Sequence, residues 1–168
     1  LNTHRYDPPL VPRQLTRGVI ERTDMMGSEV IPLREASARE AARELIAEDV
    51  EGIVISLMHS YKSPVNERRV RDIVIEEVEK SGKKIPVFAS ADYYPVRKET
   101  HRTNTTILEG YAAEPSRQTL SKISNAFKER GTKFDFRVMA THGGTISWKA
   151  KELARTIVSG PIGGVIGA

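Results

Sequence analysis

The chain has 168 residues, of which 39% are hydrophobic and 29% charged, and it contains no cysteine. A chain of this length can bury roughly 70% of its unfolded surface, so a disordered tail or a fibrous protein is excluded. So are a disulfide scaffold, a cysteine nucleophile and a thiolate metal site. The net charge of +4 comes from 26 Lys and Arg against 22 Asp and Glu, interspersed along the chain with few aromatic residues, which argues against a nucleic-acid partner. No apolar run is long enough to span a bilayer and no signal peptide is visible, so no membrane partner is expected and a reducing cytoplasmic setting fits.

In chain order, residues 1–16 hold Pro8, Pro9 and Pro12 without periodicity and read as an extended connector. Residues 18–22 and 29–33 flank Asp24-Met25-Met26-Gly27, a hairpin signal. Ser37, with Glu40 three residues on, predicts a capping box for a helix that turns Ala38, Ala41, Ala42, Leu45 and Ile46 inward. The apolar run 52–57 predicts a strand. Ser63 and Pro64 read as N-cap and first position of a helix whose stripe is Val70, Ile73, Val74 and Val78, ending near Gly82. Residues 85–89 predict the next strand.

Residues 91–102 read as a polar loop. A helix is predicted from about Thr103 to Ala113, and a second opened by Pro115, with Leu120, Ile123 and Phe127 inward and Gly131 at its end. A third strand over 134–140, the loop His142-Gly143-Gly144, a helix near 148–154 and a small-residue helix after Pro161 complete the chain. Helix and strand alternate after the hairpin, so the fold class is α/β, a mixed sheet with flanking helices. The chain opens without methionine and closes inside a glycine-rich run. The expectation is an internal piece of a longer polypeptide.

Ligands in open α/β sheets sit beyond the carboxyl ends of strands. Three loops are expected there, at 58–63, 90–102 and 141–145. In the third, Gly143 and Gly144 permit close backbone approach, Thr141, His142 and Thr145 add donors, and a histidine can move protons. A tight turn requiring positive φ explains the same glycines. His101, Arg102 and Thr105 precede or open a helix, where free N–H groups favour an anion; simple N-capping by Thr103 or Asn104 is the plainer account. Residues 159–168 resemble a phosphate loop superficially but lack its lysine, and Gly163, Gly164, Gly167 and Ala168 make a side-chain-free stripe after Pro161, so close helix packing is the leading reading. The four histidines lie at 4, 59, 101 and 142 without zinc spacing, and no metal site is expected within the chain.

Several stretches together resemble the A-type subunits of the hydantoinase/5-oxoprolinase family. They are Pro9-Leu10-Val11-Pro12-Arg13, Val30-Ile31-Pro32-Leu33, His59-Ser60-Tyr61 with Pro64 and Glu67-Arg68-Arg69-Val70, Arg102-Thr103-Asn104-Thr105-Thr106, Gly143-Gly144, and Ser159-Gly160-Pro161 with Gly163-Gly164-Val165 and Gly167. The wording 140–148, with His142 where the hydrolases of the family carry asparagine, is most similar to the carboxylase members.

The resemblance implies an actin-like, ribonuclease H-like ATPase fold. Residues 1–112 would be the end of the N-terminal lobe, and 113–168 the start of the second lobe with its hinge helix. Ser159, Gly160, Gly163 and Gly164 would lie at the hinge near the nucleotide. The implied activity is that of a ligase, ATP-dependent carboxylation of acetone with bicarbonate to acetoacetate. His142 would be catalytic, with Gly143, Gly144, Thr145, His101, Arg102 and Thr105 binding substrate or phosphate. ATP and Mg²⁺ would bind mostly outside this piece, which alone is expected to be inactive. A transition metal such as Mn²⁺ would sit in one of the partner subunits of alpha and gamma type. Two further readings are ATP-dependent opening of a cyclic amide, such as N-methylhydantoin or 5-oxoproline, and a non-catalytic assembly segment.

Overall fold

A computed structural model describes residues 9–168, so the expected connector 1–16 lies partly outside the described residues. The chain divides into one compact unit ending at Ile107 and a second, Leu108–Ala168.

The first unit opens with the hairpin expected from sequence. Strands β1 (Arg22–Thr23) and β2 (Glu29–Ile31) pair antiparallel. The Asp24 carboxylate accepts the N–H groups of Met26 and Ser28 at 2.8 and 2.9 Å, and Gly27 closes the turn at φ +93°. Helix α1 (Glu35–Ala47) buries Ala38, Ala42 and Ile46. The expected capping box does not form. Ser37 lies inside the helix, where its Oγ accepts the Ile20 N–H and donates to the Arg34 carbonyl, tying the helix to the hairpin instead.

Strand β3 (Ile53–Ile55), helix α2 (Val65–Ser81) and strand β4 (Val87–Ala89) follow, with β3 and β4 parallel and Ile53 opposite Val87. Parallel neighbours need a crossover, and α2 supplies it. The anticipated stripe of Val70, Ile73, Val74 and Val78 is buried with the inward residues of α1 and β3, forming one core. Gly82 ends α2 at φ +70°, as glycine at that position allows. Ser63 does not cap α2; the helix starts one residue later than expected, after Pro64.

The seam between α1 and α2 is charged. Glu77 is buried and receives Arg43, Lys80 and Arg39. The hydrogen bond from Arg43 is the main cause, with those of Lys80 and Arg39 behind it, that holds the Glu77 carboxyl down at about 2. A depressed carboxyl contributes stability above its unfolded pKa and loses it as pH falls through the folded value. Urea midpoints should therefore fall as pH drops from about 4.5 to about 2, and Glu77→Gln should flatten that fall. An unchanged pH slope in the variant would refute this account.

Residues 90–102 are not wholly a loop. Helix α3 (Ser90–Tyr93) follows β4 directly, and helix α4 begins at Glu99. Helix α4 (Glu99–Glu129) is continuous, its residues divided between the units after Ile107, so the expected break at Pro115 does not occur. A proline removes one i→i−4 bond, here to the Tyr111 carbonyl, and Tyr111 is 81% exposed. At such a wet position the interruption is tolerated.

In the second unit the inward face of α4 also differs. Ile123 and Phe127 are about two-fifths exposed (41% and 40%), while Ser124 is buried. Gly131 stops the helix at φ +77°, as expected. Strands β5 (Arg137–Met139) and β6 (Thr145–Ser147) form an antiparallel hairpin, with Met139 opposite Thr145. Phe127, Phe136 and Trp148 follow one another in ring contact, the last two stacked at 6.0 Å. The helix anticipated near 148–154 is a shorter 3₁₀ turn, Leu153–Thr156. Helix α5 (Ser159–Gly167) starts two residues before Pro161.

The class is thus mixed α/β, as expected, but one mixed sheet is not formed by the described residues. Their strands make three separate two-stranded sheets. Each strand is two or three residues long, below the usual strand length of about five or six.

Candidate functional site

The carboxyl ends of β3 and β4 lie side by side because the strands are parallel. Segments 56–63 and 90–98, the second opening with α3, therefore leave from one edge of the first unit. A buried polar network joins them. Glu67, on α2, is completely buried and accepts three donors: the Leu57 N–H at 2.7 Å, the Ala91 N–H at 2.7 Å and the Ser90 hydroxyl at 2.9 Å. Ser90 in turn accepts from Arg102 Nε at 2.9 Å. Arg102 donates also to the carbonyls of Val96 and Leu57, at 3.0 and 2.7 Å.

The sequence places Arg102 as a partner for an anion in solvent, and the structure corrects this. Arg102 is 0% exposed and its guanidinium is engaged by protein acceptors. It is a structural residue, because three acceptors from distant segments converge on its planar fork. His101 is exposed and Thr105 half-buried on the same helix. Ser56 and Thr103 share a hydrogen bond at 2.6 Å, so Thr103 serves the loop rather than capping the helix.

Sequence reasoning missed Glu67 and Ser90. The available signal was spacing: Glu67 precedes Val70 by three and Val74 by seven, which puts a carboxylate on the buried stripe of α2.

His59 stands on the same edge with φ +57°, a left-handed conformation. Its N–H donates to Glu99 Oε1 at 3.4 Å, and its ring Nδ1 lies 3.7 Å from that oxygen. Burial opposes the charge on Glu99. Its own N–H, the His59 N–H, Arg102 and His59 outweigh burial and keep its carboxyl below the ordinary value.

In the second unit, the loop of His142 is the turn of the β5–β6 hairpin, not the exit from a parallel strand. The Ala140 N–H donates to the Gly144 carbonyl at 2.8 Å, and the Gly143 N–H to the Ala140 carbonyl at 3.0 Å. Gly143 adopts φ +84°, as the tight-turn account requires. It also abuts α5: a Cβ there would meet Ile166 Cδ1 at 2.9 Å. Thr141 braces the turn through its N–H and hydroxyl, both donating to the Arg155 carbonyl at 2.7 Å. His142 and Thr145 are exposed, and Thr145 Oγ1 accepts from Arg137.

On α5, only Gly163 shows the expected close packing: a Cβ there would meet Met139 Cγ at 3.6 Å. Gly160, Gly164 and Gly167 face open space. Ser159 lines an open depression with Pro115, Thr119, Val138, Met139 and Thr156. The structure thus gathers His142, Gly143, Gly144 and Thr145 in one turn beside α5, and places His101, Arg102 and Thr105 in the other unit.

Gly144 and His142 are tightly apposed. A Cβ on Gly144 would sit 2.8 Å from His142 Nε2 and 3.2 Å from its Cδ2, inside contact distance. Gly144→Ala should swing the imidazole away while leaving the hairpin paired. The His142 ring resonances should move in an NMR spectrum; unmoved resonances would contradict the apposition.

Comparison with known proteins matches two stretches of the chain. The hydantoinase/oxoprolinase N-terminal region matches residues 2–78, and hydantoinase/oxoprolinase matches residues 102–168. The chain is 91% identical, over all 168 residues, to 23% of the acetone carboxylase beta subunit of Xanthobacter autotrophicus (strain ATCC BAA-1158 / Py2). A solved nucleotide-free structure of acetone carboxylase superposes with a TM-score of 0.94, covering 99% of this chain and 23% of that one, at 91% identity. The ATP-dependent caprolactamase of Pseudomonas jessenii superposes at 0.76 and 27% identity, covering 96% of this chain and 24% of that one. The chain therefore spans about a quarter of the length of the relatives it matches. Among the described residues no helix is long and apolar enough to cross a membrane. With both family stretches in order and the backbone superposing along nearly its whole length, the chain belongs to the hydantoinase/oxoprolinase family.

Proposed function

We propose that this chain is a segment of the ATP-dependent subunit of an acetone carboxylase. The complete enzyme would activate acetone and bicarbonate by phosphorylation, through an enol phosphate and carboxyphosphate, and join them as acetoacetate while ATP ends as AMP and two phosphates. The observation that carries this reading is the 91% identity, unbroken over all 168 residues, to the acetone carboxylase beta subunit. The amide-opening relative stands far lower, at 27%. Opening of a cyclic amide is the second reading, favoured by that shared backbone and by a caprolactamase subunit and a 5-oxoprolinase that are each 30% identical to parts of this chain.

In this proposal the segment belongs to an actin-like ATPase, with 1–112 closing one lobe and 113–168 opening the other. Ser159, Gly160, Gly163 and Gly164 lie at the hinge near the nucleotide. Phosphoryl transfer needs positioning and charge stabilisation more than covalent help. His142 and Thr145, exposed on a braced turn with Gly143 and Gly144, would supply donors to a transferring phosphoryl group. His101 and Thr105 form a lesser anion-binding set, without Arg102. No group of three or more His, Asp or Glu gathers among the described residues. In this proposal ATP and Mg²⁺ bind mostly outside this segment, and a transition metal such as Mn²⁺ sits in a partner subunit of alpha or gamma type.

The test is nucleotide product analysis on the purified parent assembly. AMP formation that depends on acetone and bicarbonate is expected. ADP formation with N-methylhydantoin or 5-oxoproline, and none with acetone, would move the protein to the hydrolase branch.

A further inference from the structure

Making an enol phosphate from acetone requires a base, because a methyl C–H must be broken. We propose that His59, oriented by Glu99, is that base; this rests on the carboxylase reading above.

Three features of the first unit converge on His59. Its backbone is held at φ +57°, a conformation uncommon outside glycine and concentrated at functional positions. Its Nδ1 is buried with no hydrogen-bond partner closer than the Glu99 carboxylate at 3.7 Å. Ser60 beside it is 2% exposed, and its Oγ has no partner either. Buried polar atoms are nearly always paired, and each one left unpaired destabilises the fold. Two in succession on a strained loop, at the carboxyl edge of a parallel pair, mark a place shaped for something other than stability.

The geometry assigns the roles. Glu99 Oε1 faces both the His59 N–H and Nδ1, so one carboxylate oxygen fixes the loop and the ring together. A proton on Nδ1 directed at Glu99 leaves Nε2 as the acceptor. At 3.7 Å the two groups are not hydrogen-bonded in this structure, and the pair must close by several tenths of an ångström for the carboxylate to hold the ring when substrate binds. The floor beneath is rigid, since Arg102, Ser90 and Glu67 lock both loops. Asp24 from the hairpin turn, Arg102 from α4 and Tyr61 from the same loop complete the charged and titratable surroundings.

In the step, Nε2 takes a methyl proton of acetone. The C–H pair becomes the C=C bond, and the carbonyl π pair forms a bond from oxygen to the γ-phosphorus of ATP. The bond to ADP breaks and ADP departs with its pair. The imidazolium so formed is stabilised by Glu99.

The experiment uses the assembled holoenzyme with His59→Asn. Asparagine tolerates the left-handed backbone, so the loop is kept and only the ring is removed. Acetone-dependent kcat should fall about 100-fold or more, with KM for acetone within about twofold. The kinetic isotope effect with perdeuterated acetone should rise, because C–H breaking becomes slower. Glu99→Gln should reduce kcat by about tenfold and raise the isotope effect with KM for acetone unchanged, because the ring loses the carboxylate that orients it. Wild-type kcat in His59→Asn, or a fall in kcat with an unchanged isotope effect, would overturn the assignment. A wild-type holoenzyme that consumes no ATP with acetone would instead sink the carboxylase reading itself.

Discussion

Arg102→Ala should lower the free energy of unfolding by about 3–5 kcal/mol, the range for breaking a buried charged network by removing one partner. The side chain is 0% exposed and its three donor nitrogens reach Ser90, Val96 and Leu57. Its loss leaves two half-buried carbonyls unpaired and leaves the Glu67 carboxylate, fully buried, without the cation one residue away through Ser90. Arg102→Lys should be nearly as damaging, because an ammonium cannot serve three acceptors spread around a planar fork. Urea denaturation of the parent subunit measures both. A change under about 0.5 kcal/mol in Arg102→Ala, the size typical of a surface substitution, would show that the network is not structural.

The second large effect is expected in activity rather than stability. If His142 donates to the transferring phosphoryl group, His142→Ala should lower acetone-dependent ATP turnover by about two orders of magnitude, the lower range for a positioned acid or base. The midpoint of thermal unfolding should stay within a degree or two, since the side chain is exposed and the turn is held by Ala140, Gly143, Gly144 and Thr141. Full turnover in a folded His142→Ala enzyme would remove this histidine from the reaction.

Local patterns were legible wherever neighbours in sequence decide the outcome. The stripe of α2, its glycine stop at Gly82 and the parallel strands on either side follow from spacing and from one residue's freedom at positive φ. The antiparallel hairpin was harder to see. Gly143-Gly144 followed by Thr145-Ile146-Ser147 is a turn signal, but a three-residue strand is too brief to display alternation. Pro115 misled because proline's cost depends on whether the abandoned carbonyl can reach water, and exposure is not written in the local sequence.

Arg102 was the least legible residue. Its acceptors come from Ser90, Val96 and Leu57, 12, 6 and 45 residues away, and only the finished fold assembles them. A sequence that places an arginine beside three hydroxyl residues at a helix start reads the same whether the arginine faces solvent or the interior. The loops after β3 and β4 were expected as ligand-facing, but the buried network through which Glu67 and Ser90 join them depended on tertiary placement.

The same long separations bear on how the unit opens and closes in time. Contacts between residues 57, 67, 90 and 102 have little to offer until β3, α2 and β4 are already docked, since the loops between them must first be closed. An interaction absent from the folding transition state slows unfolding without hastening folding. The buried arginine network is thus a latch on the native state: it lengthens the lifetime of the closed strand edge and leaves the speed of its formation to the apolar core.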